Sequence, residues 1–392
     1  MDHPLNSPVD RKNIDPKTLN EQIAFLASSK GPEELSPLER YWRDHKTWLE
    51  ERGYLLRPRY HPGWTPSWKN TSKIPDDCED GQTAKEEQHL MDARRISDGA
   101  IVMLKRISIK NNPRELAMAR LLHSEPYRSD PRNHCIPIHE ILSLPDEEEA
   151  VLLVMPFLYG WRVEPKLETV GETVEFLRQI FEGLKFLHDH NIAHNDVKTD
   201  NIMMDPSPLY NQPLHPVRTG KTYNWTRRPS PNTRTQSPVK YYIIDFDLAR
   251  SYDRSESQVA IEYPRYGGDA TVPEFMSRPQ EACDPFAVDI YRLGNLVRKN
   301  LSGGGSVPLN PTFRFLHKLI SDMTQDDPNK RPSMDEAVNR FESAVKGLGF
   351  LKLRSRVAHP NETLLARAVN FSTHWPRQIK YILQRKSAIP KA

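Results

Sequence analysis

The hydrophobic pattern of this chain changes period once, and that change constrains its architecture more than any other feature. Between Gln88 and Ile109 apolar residues alternate as in strands, with Ser97-Asp98-Gly99 supplying a hairpin turn. Residues 151–158, VLLVMPFL, form a continuous apolar run of strand length bounded by Gly160. Beyond it the period lengthens. Val174, Leu177, Ile180, Phe181, Leu184 and Leu187 mark one face of a long helix over Thr169–His190. Helices over Phe313–Met323 and Met334–Val345 follow the glycine run Gly303–Gly305. Strands lead and helices follow, which predicts an α+β fold with a strand-rich first part and a helical second part.

The flanks read differently. Residues 1–35 are polar and proline-rich and read as a flexible lead-in. Residues 36–79 form a helical and aromatic extension: Ser36 as N-cap, Pro37 at the first helical position, Gly53 past the end. A strand over Tyr54–Tyr60 and an aromatic loop over His61–Trp68 complete it. Residues 206–240 hold seven prolines, six Lys/Arg and no acid, a composition that predicts an exposed insertion. From Leu351 onward there are nine Lys/Arg and one acid, Glu362, against 46 basic and 51 acidic residues before it. The basic tail, 346–392, suits an acidic partner, nucleic acid or an anionic membrane, or a helix lying over the acidic body.

Three scattered cysteines, Cys78, Cys135 and Cys283, match neither a disulfide framework nor zinc spacing. No apolar run reaches bilayer length and the first residues lack a signal-peptide core. The expectation is an intracellular protein, cytoplasmic or nuclear, with no transmembrane segment. Specific nucleic-acid binding has no motif support.

The chemistry is concentrated in IAHNDVKTDNIMMD (192–205) and YYIIDFDLAR (241–250). His194, Asp196, Lys198 and Asn201 follow an H-x-D-x-K-x-x-N spacing, and Asp245-Phe246 comes after an apolar strand. Taken singly these residues have duller roles: His194 in the core or at a cap, Lys105 as a strand lysine, Asp289 as a helix N-cap. Jointly they resemble the eukaryotic protein kinase superfamily, whose signature joins H-R-D-L-x-x-x-N, D-F-G, a β3 lysine, an αC glutamate and A-P-E. The resemblance covers roughly residues 80–345 and implies a bilobal fold, a small strand-rich N-lobe and a larger helical C-lobe.

By this resemblance the chain is an ATP-dependent protein kinase, using ATP and Mg²⁺ to phosphorylate Ser/Thr hydroxyls of protein substrates. Asp196 would orient or deprotonate the hydroxyl and Lys198 would meet the γ-phosphate. Asn201 and Asp245 would hold the metal. Lys105 would pair with Glu115. Adenine would lie among Leu90, Met103, Met155, Pro156, Leu158 and Met203. Val272-Pro273-Glu274 stands for A-P-E, and Glu274 would form a structural ion pair with Arg331 of DPNKRPS.

The chain departs from the family at five points, one of them Gly267, where the family usually has a threonine seven residues before the A-P-E glutamate. The glycine-rich loop falls on Thr83–Gln88, without a glycine. Met103 replaces the small alanine against adenine. D-F-G is Asp245-Phe246-Asp247, where Asp247 is expected to take the positive φ of glycine and bring a second carboxylate near the metal. Asn195 replaces the arginine that pairs with a loop phosphate, so an activation segment ordered without phosphorylation is expected. These departures keep two alternatives open: a pseudokinase scaffold, and a small-molecule phosphotransferase of choline or aminoglycoside type. An acidic or phosphorylated partner could meet the insertion through Arg227, Arg228 and Arg234, or meet the tail.

Overall fold

The computed structural model describes residues 33–83, 89–252, 260–264, 267–301, 310–358 and 362–392. Two compact units divide the chain at Lys105, the first also taking in His215–Thr219. The phosphate-loop positions 84–88, Ser255 and Ser257 of the expected activation segment, and the run Gly303–Gly305 lie outside the described residues.

Among the described residues, the first unit begins with helices α1, Pro37–Asp44, and α2, Lys46–Glu51. One helix was expected here; two form, meeting at His45. Ser36 caps α1 as its sequence suggests, in a reciprocal capping box with Glu39. The expected strand over 54–60 shortens to β1, Tyr54–Leu55, and gives way to a 3-10 turn at Pro58–Tyr60. Pro58 lacks the donor a ladder needs. The arginines beside it turn inward. Arg57 Nε lies 2.9 Å from Asp92 Oδ2 and its Nη1 3.2 Å from Glu79 Oε1, with Nη1 also donating to the Gln82 carbonyl at 2.8 Å. Arg59 makes a forked pair with Glu39, at 2.6 and 3.1 Å. Both guanidiniums are fully buried, a state tolerated only because their donors find partners. Strands β2, Leu90–Arg95, and β3, Ile101–Ser108, pair antiparallel with Leu90 opposite Lys105 and Asp92 opposite Met103. Asp98 and Gly99 (φ 73°) make the expected turn between them.

The second unit contains α3, Pro113–His123, and the antiparallel hairpin β4, Glu140–Ser143, with β5, Ala150–Pro156. After β6, Tyr159–Gly160, the long helix α4 runs Val170–Asp189. Thr169 caps it in a second capping box with Glu172. α4 is buried along nearly its whole length, stacking Phe176 on Trp161 (4.2 Å) and Phe181 on Phe341 (5.2 Å). Short strands follow: β7, Ile192–Ala193; β8, Ile202–Met204; β9, Tyr241–Ile243; β10, Arg250–Ser251. They form a β6-β8-β9 sheet and a β7-β10 pair. Helices α5, Pro273–Ser277; α6, Pro285–Leu301; α7, His317–Met323; and α8, Met334–Lys346, complete the core. α9, Phe350–Arg354, and α10, Leu364–Leu383, end the chain. The order is α+β, as the change of period predicts.

The insertion departs from expectation. Leu209, Leu214, His215, Arg234 and Thr235 are buried. Arg234 donates to the Pro165 carbonyl (3.0 Å), the Trp161 carbonyl and the Tyr241 hydroxyl (2.9 Å), while Thr235 caps Glu172 twice at 2.7 Å. Composition misleads because a proline-rich segment can still order itself on donors that saturate the carbonyls of its neighbours. Its residues 215–219 belong with the first unit, where His215 Nε2 lies 3.3 Å from Glu79 Oε1. Burial pushes the Glu79 carboxyl up, but His215 and Arg57 outweigh it and hold the group below its ordinary range.

Candidate active site

The candidate site grows out of two tight turns. β7 ends at Ala193, and the chain turns through His194 and Asn195, the latter in the left-handed region at φ 60°. Asparagine is among the few side chains that tolerate this backbone. Asp289, a fully buried carboxylate on α6, holds the turn by accepting the amides of His194 (2.7 Å) and Asn195 (2.9 Å). His194 Nε2 faces the Ile244 carbonyl at 3.1 Å, and its Nδ1 accepts the Asp196 amide at 3.2 Å. Only a neutral imidazole with its proton on Nε2 satisfies both contacts. Burial accordingly pushes the His194 pKa down.

This turn presents Asp196. Its Oδ2 accepts Lys198 Nζ at 2.5 Å and Asn201 Nδ2 at 3.0 Å. Asn201 Nδ2 also donates to the Asp196 carbonyl at 3.0 Å, while its own carbonyl takes the Ile244 amide at 2.9 Å. That last bond ties the loop to the turn after β9. The third donor to Asp196 was not foreseen: the Gly268 amide reaches Oδ1 at 2.7 Å. A Cβ on Gly267 would stand 1.9 Å from the same oxygen, so only glycine fits there. A sequence comparison notices that the family's threonine has become Gly267, but gives no sign that a backbone amide takes its place.

The second turn carries Asp245. The positive φ of this turn falls on Asp245 (68°), not on Asp247 as expected. Asp247 Oδ1 instead accepts Asn112 Nδ2 at 3.0 Å, from the residue that begins α3. Glu115 lies buried in the first turn of that helix. Met155 and Leu158 are buried; Pro156 closes β5 and Met203 lies in β8, both half-buried. Lys105, Met103 and Leu90 lie half-buried in β3 and β2 of the first unit. The structure thus brings Asp196, Lys198 and Asn201 into one hydrogen-bonded cluster, with Asp245 on the turn bonded to it through Ile244.

Farther out, Arg331 forks onto Glu274 at 2.8 and 2.7 Å and donates to the Ala287 carbonyl at 2.9 Å, the ion pair expected from the sequence. Asp269 accepts Asn295 Nδ2 at 2.5 Å and Thr271 Oγ1 at 2.7 Å. Burial raises the Asp269 pKa, and these hydrogen bonds outweigh it, leaving the carboxyl below its ordinary range. The glycine pair over Asp196 is therefore anchored to α6 one residue later.

A model of the protein kinase domain matches residues 89–308, more than half of the chain. Among curated proteins, the Wee1-like protein kinase of Oryza sativa subsp. japonica is 30% identical over 185 residues, 43% of this chain and 28% of its own length. The probable serine/threonine-protein kinase ireA of Dictyostelium discoideum is 23% identical over 200 residues, 46% of this chain and 17% of its own. Serine/threonine-protein kinase PLK2 of Mus musculus is 24% identical over 228 residues, 53% of this chain and 28% of its own. The chain thus spans under a third of the length of each of these relatives. No helix among the described residues is long and apolar enough to cross a membrane. With its strands and helices in the order described and the matched region enclosing both turns of the site, this chain belongs to the protein kinase family and has its bilobal α+β fold.

Proposed function

We propose that the chain is an ATP-dependent protein kinase that transfers the γ-phosphoryl group to Ser/Thr hydroxyls of protein substrates. The observation that supports this best is the convergence of Lys198, Asn201 and the Gly268 amide on the Asp196 carboxylate. Phosphoryl transfer asks a protein mainly for positioning and for charge placed at the phosphate oxygens. Asp196, fixed on both oxygens, would accept the hydrogen bond of the attacking hydroxyl. Lys198 would turn from Asp196 to the incoming phosphoryl oxygens; its presence favours Ser/Thr over tyrosine.

The residues fit a divalent cation. Asn201 spends its amide nitrogen on Asp196, and among the described residues no hydrogen bond reaches its amide oxygen. Asp245 adds a carboxylate two residues beyond β9. Both are hard oxygen donors of the kind Mg²⁺ takes together with phosphates and water. When bound with ATP, Mg²⁺ would neutralise charge on the phosphates. Lys105, oriented by Glu115, would hold the phosphates from the first unit's strand, and Leu90, Met103, Met155, Pro156, Leu158 and Met203 would enclose adenine. Of the arginines considered for an acidic or phosphorylated partner, Arg227 and Arg228 are exposed and remain candidates, whereas Arg234 is spent internally.

The test is transfer itself. Purified chain with Mg²⁺ and γ-labelled ATP should label a generic protein substrate on serine or threonine. Nucleotide binding without transfer would make it a scaffold, and label on choline or an aminoglycoside would make it a small-molecule phosphotransferase.

A further inference from the structure

α10 is amphipathic the wrong way round. At the helical period, Leu365, Val369, Ile379 and Leu383 share one stripe, and His374, Gln378 and Tyr381 share the opposite one. A surface helix ordinarily turns its apolar stripe toward the body. From His374 to Tyr381 this polar stripe is buried, at 1%, 0% and 3% exposure, whereas the earlier turns, Arg367 to Thr373, are exposed all round; the apolar stripe stands 77%, 54%, 53% and 79% exposed. Specific bonds fix this orientation. His374 Nε2 lies 2.9 Å from the Arg354 carbonyl, Gln378 Oε1 accepts Arg354 Nη1 at 3.1 Å, and Tyr381 shares a 2.8 Å bond with Thr233. Arg377 adds an ion pair to Glu168 at 2.9 Å.

Charge says what the open stripe can meet. From Thr363 to the C-terminus there are six basic residues and no acid. Lys380 flanks the stripe and Arg385 follows its end; both are exposed, and neither has a carboxylate partner among the described residues. A second copy docking through the same stripe would set these like charges against each other, and the acid beside the helix, Glu362, is already engaged by Arg356 and Asn370. Because the turns from His374 to Tyr381 are bolted to the body, a partner cannot wrap around that half of α10, and a surface that meets Leu365, Val369, Ile379 and Leu383 together must be flat. A basic, apolar, one-sided helix facing a flat acidic surface is the chemistry of an interfacial membrane helix.

We propose that α10 is a membrane-docking face. It would lay Leu365, Val369, Ile379 and Leu383 into the headgroup boundary of an anionic bilayer, with Lys380 and Arg385 over the acidic headgroups. This does not depend on phosphotransfer.

The full chain is sedimented with vesicles of phosphatidylcholine alone, and of equal parts phosphatidylcholine and phosphatidylserine. Two variants accompany it: Leu365→Ser/Val369→Ser/Ile379→Ser/Leu383→Ser, and Lys380→Gln/Arg385→Gln. Near-ultraviolet circular dichroism reports whether each remains folded. The chain should partition to the acidic vesicles, and added salt should weaken that partitioning. The stripe variant should bind at least about tenfold less. The charge variant, with two surface changes that leave the docking bonds intact, should lose about fivefold per charge. No partitioning to acidic vesicles would overturn the proposal, as would folded variants that sediment like the parent. A stripe-dependent dimer without vesicle binding would overturn it in favour of a second copy.

Discussion

Gly268 holds Asp196 through a 2.7 Å hydrogen bond from a backbone amide, across 72 residues of sequence. An amide has no rotamers, so this donor has a fixed direction once the loop is anchored. Asp269, bonded to Asn295 and Thr271, provides the anchor. The carboxylate is thereby oriented from three sides, by the Gly268 amide, by Lys198 and by Asn201.

The close approach at Gly267 makes Gly267→Ala informative. The new Cβ would stand 1.9 Å from Asp196 Oδ1, so carboxylate or loop must move. A displacement of about 1 Å at a reacting group costs roughly 10²-fold in rate. Steady-state assays should show that loss in kcat. A variant with parental kcat would show that the contact does not position Asp196.

Asp247 and Asn112 act as a tether between the turn of Asp245 and the start of α3. Asp247→Ala and Asn112→Ala should each lower stability by about 1 kcal/mol. The double variant should cost clearly less than their sum, because the partners share one interaction. Denaturant unfolding of the four proteins measures this. The requirement for Mg²⁺ should be the same in all four, whereas a metal role for Asp247 would change it.

The Glu274–Arg331 pair is buried at both ends. Glu274→Gln or Arg331→Met leaves one charge without its partner, at a cost of about 3–5 kcal/mol. Thermal unfolding should show it, and a loss under 1 kcal/mol would mean the pair is dispensable.

Acid should destabilise the fold through His194. Burial depresses its folded pKa, so the folded imidazole refuses a proton that the unfolded one accepts near its ordinary value of about 6.5. Stability therefore falls as pH drops below about 6.5 and continues to fall down to the lowered folded value. His374, also depressed by burial, acts in the same direction. Unfolding free energies measured from pH 8 to about 5 should decline. A flat profile would contradict the buried neutral tautomer.

Some of this was legible in the sequence and some was not, for physical reasons. Asp196, Lys198 and Asn201 lie within five residues of one another, so the family resemblance assigns them to one site, although it gives no sign of the hydrogen bonds they make to each other. The β2–β3 hairpin, α4 and the Glu274–Arg331 pair follow from period, caps and ordered motifs. The Gly268 amide left no trace, because a backbone donor has no side-chain identity. Arg234 read as an exposed recruiter because its acceptors are mainly the carbonyls of Trp161 and Pro165, groups every residue carries. The pattern over Tyr54–Tyr60 predicts a longer strand than Tyr54–Leu55, since it cannot show that Arg57 and Arg59 turn inward to acids distant in sequence. The inverted setting of α10 was equally hidden: periodicity shows two faces but not which one the body takes.

The most direct test compares the parent with Asp196→Asn at saturating Mg·ATP, measuring nucleotide affinity and phosphoryl transfer on the same samples. Asparagine can keep the Gly268 contact while losing the charge that meets the hydroxyl. The account predicts unchanged nucleotide affinity and transfer lowered by about 10²–10⁴-fold. Equal transfer by both proteins, or no transfer by the parent despite bound nucleotide, would contradict it.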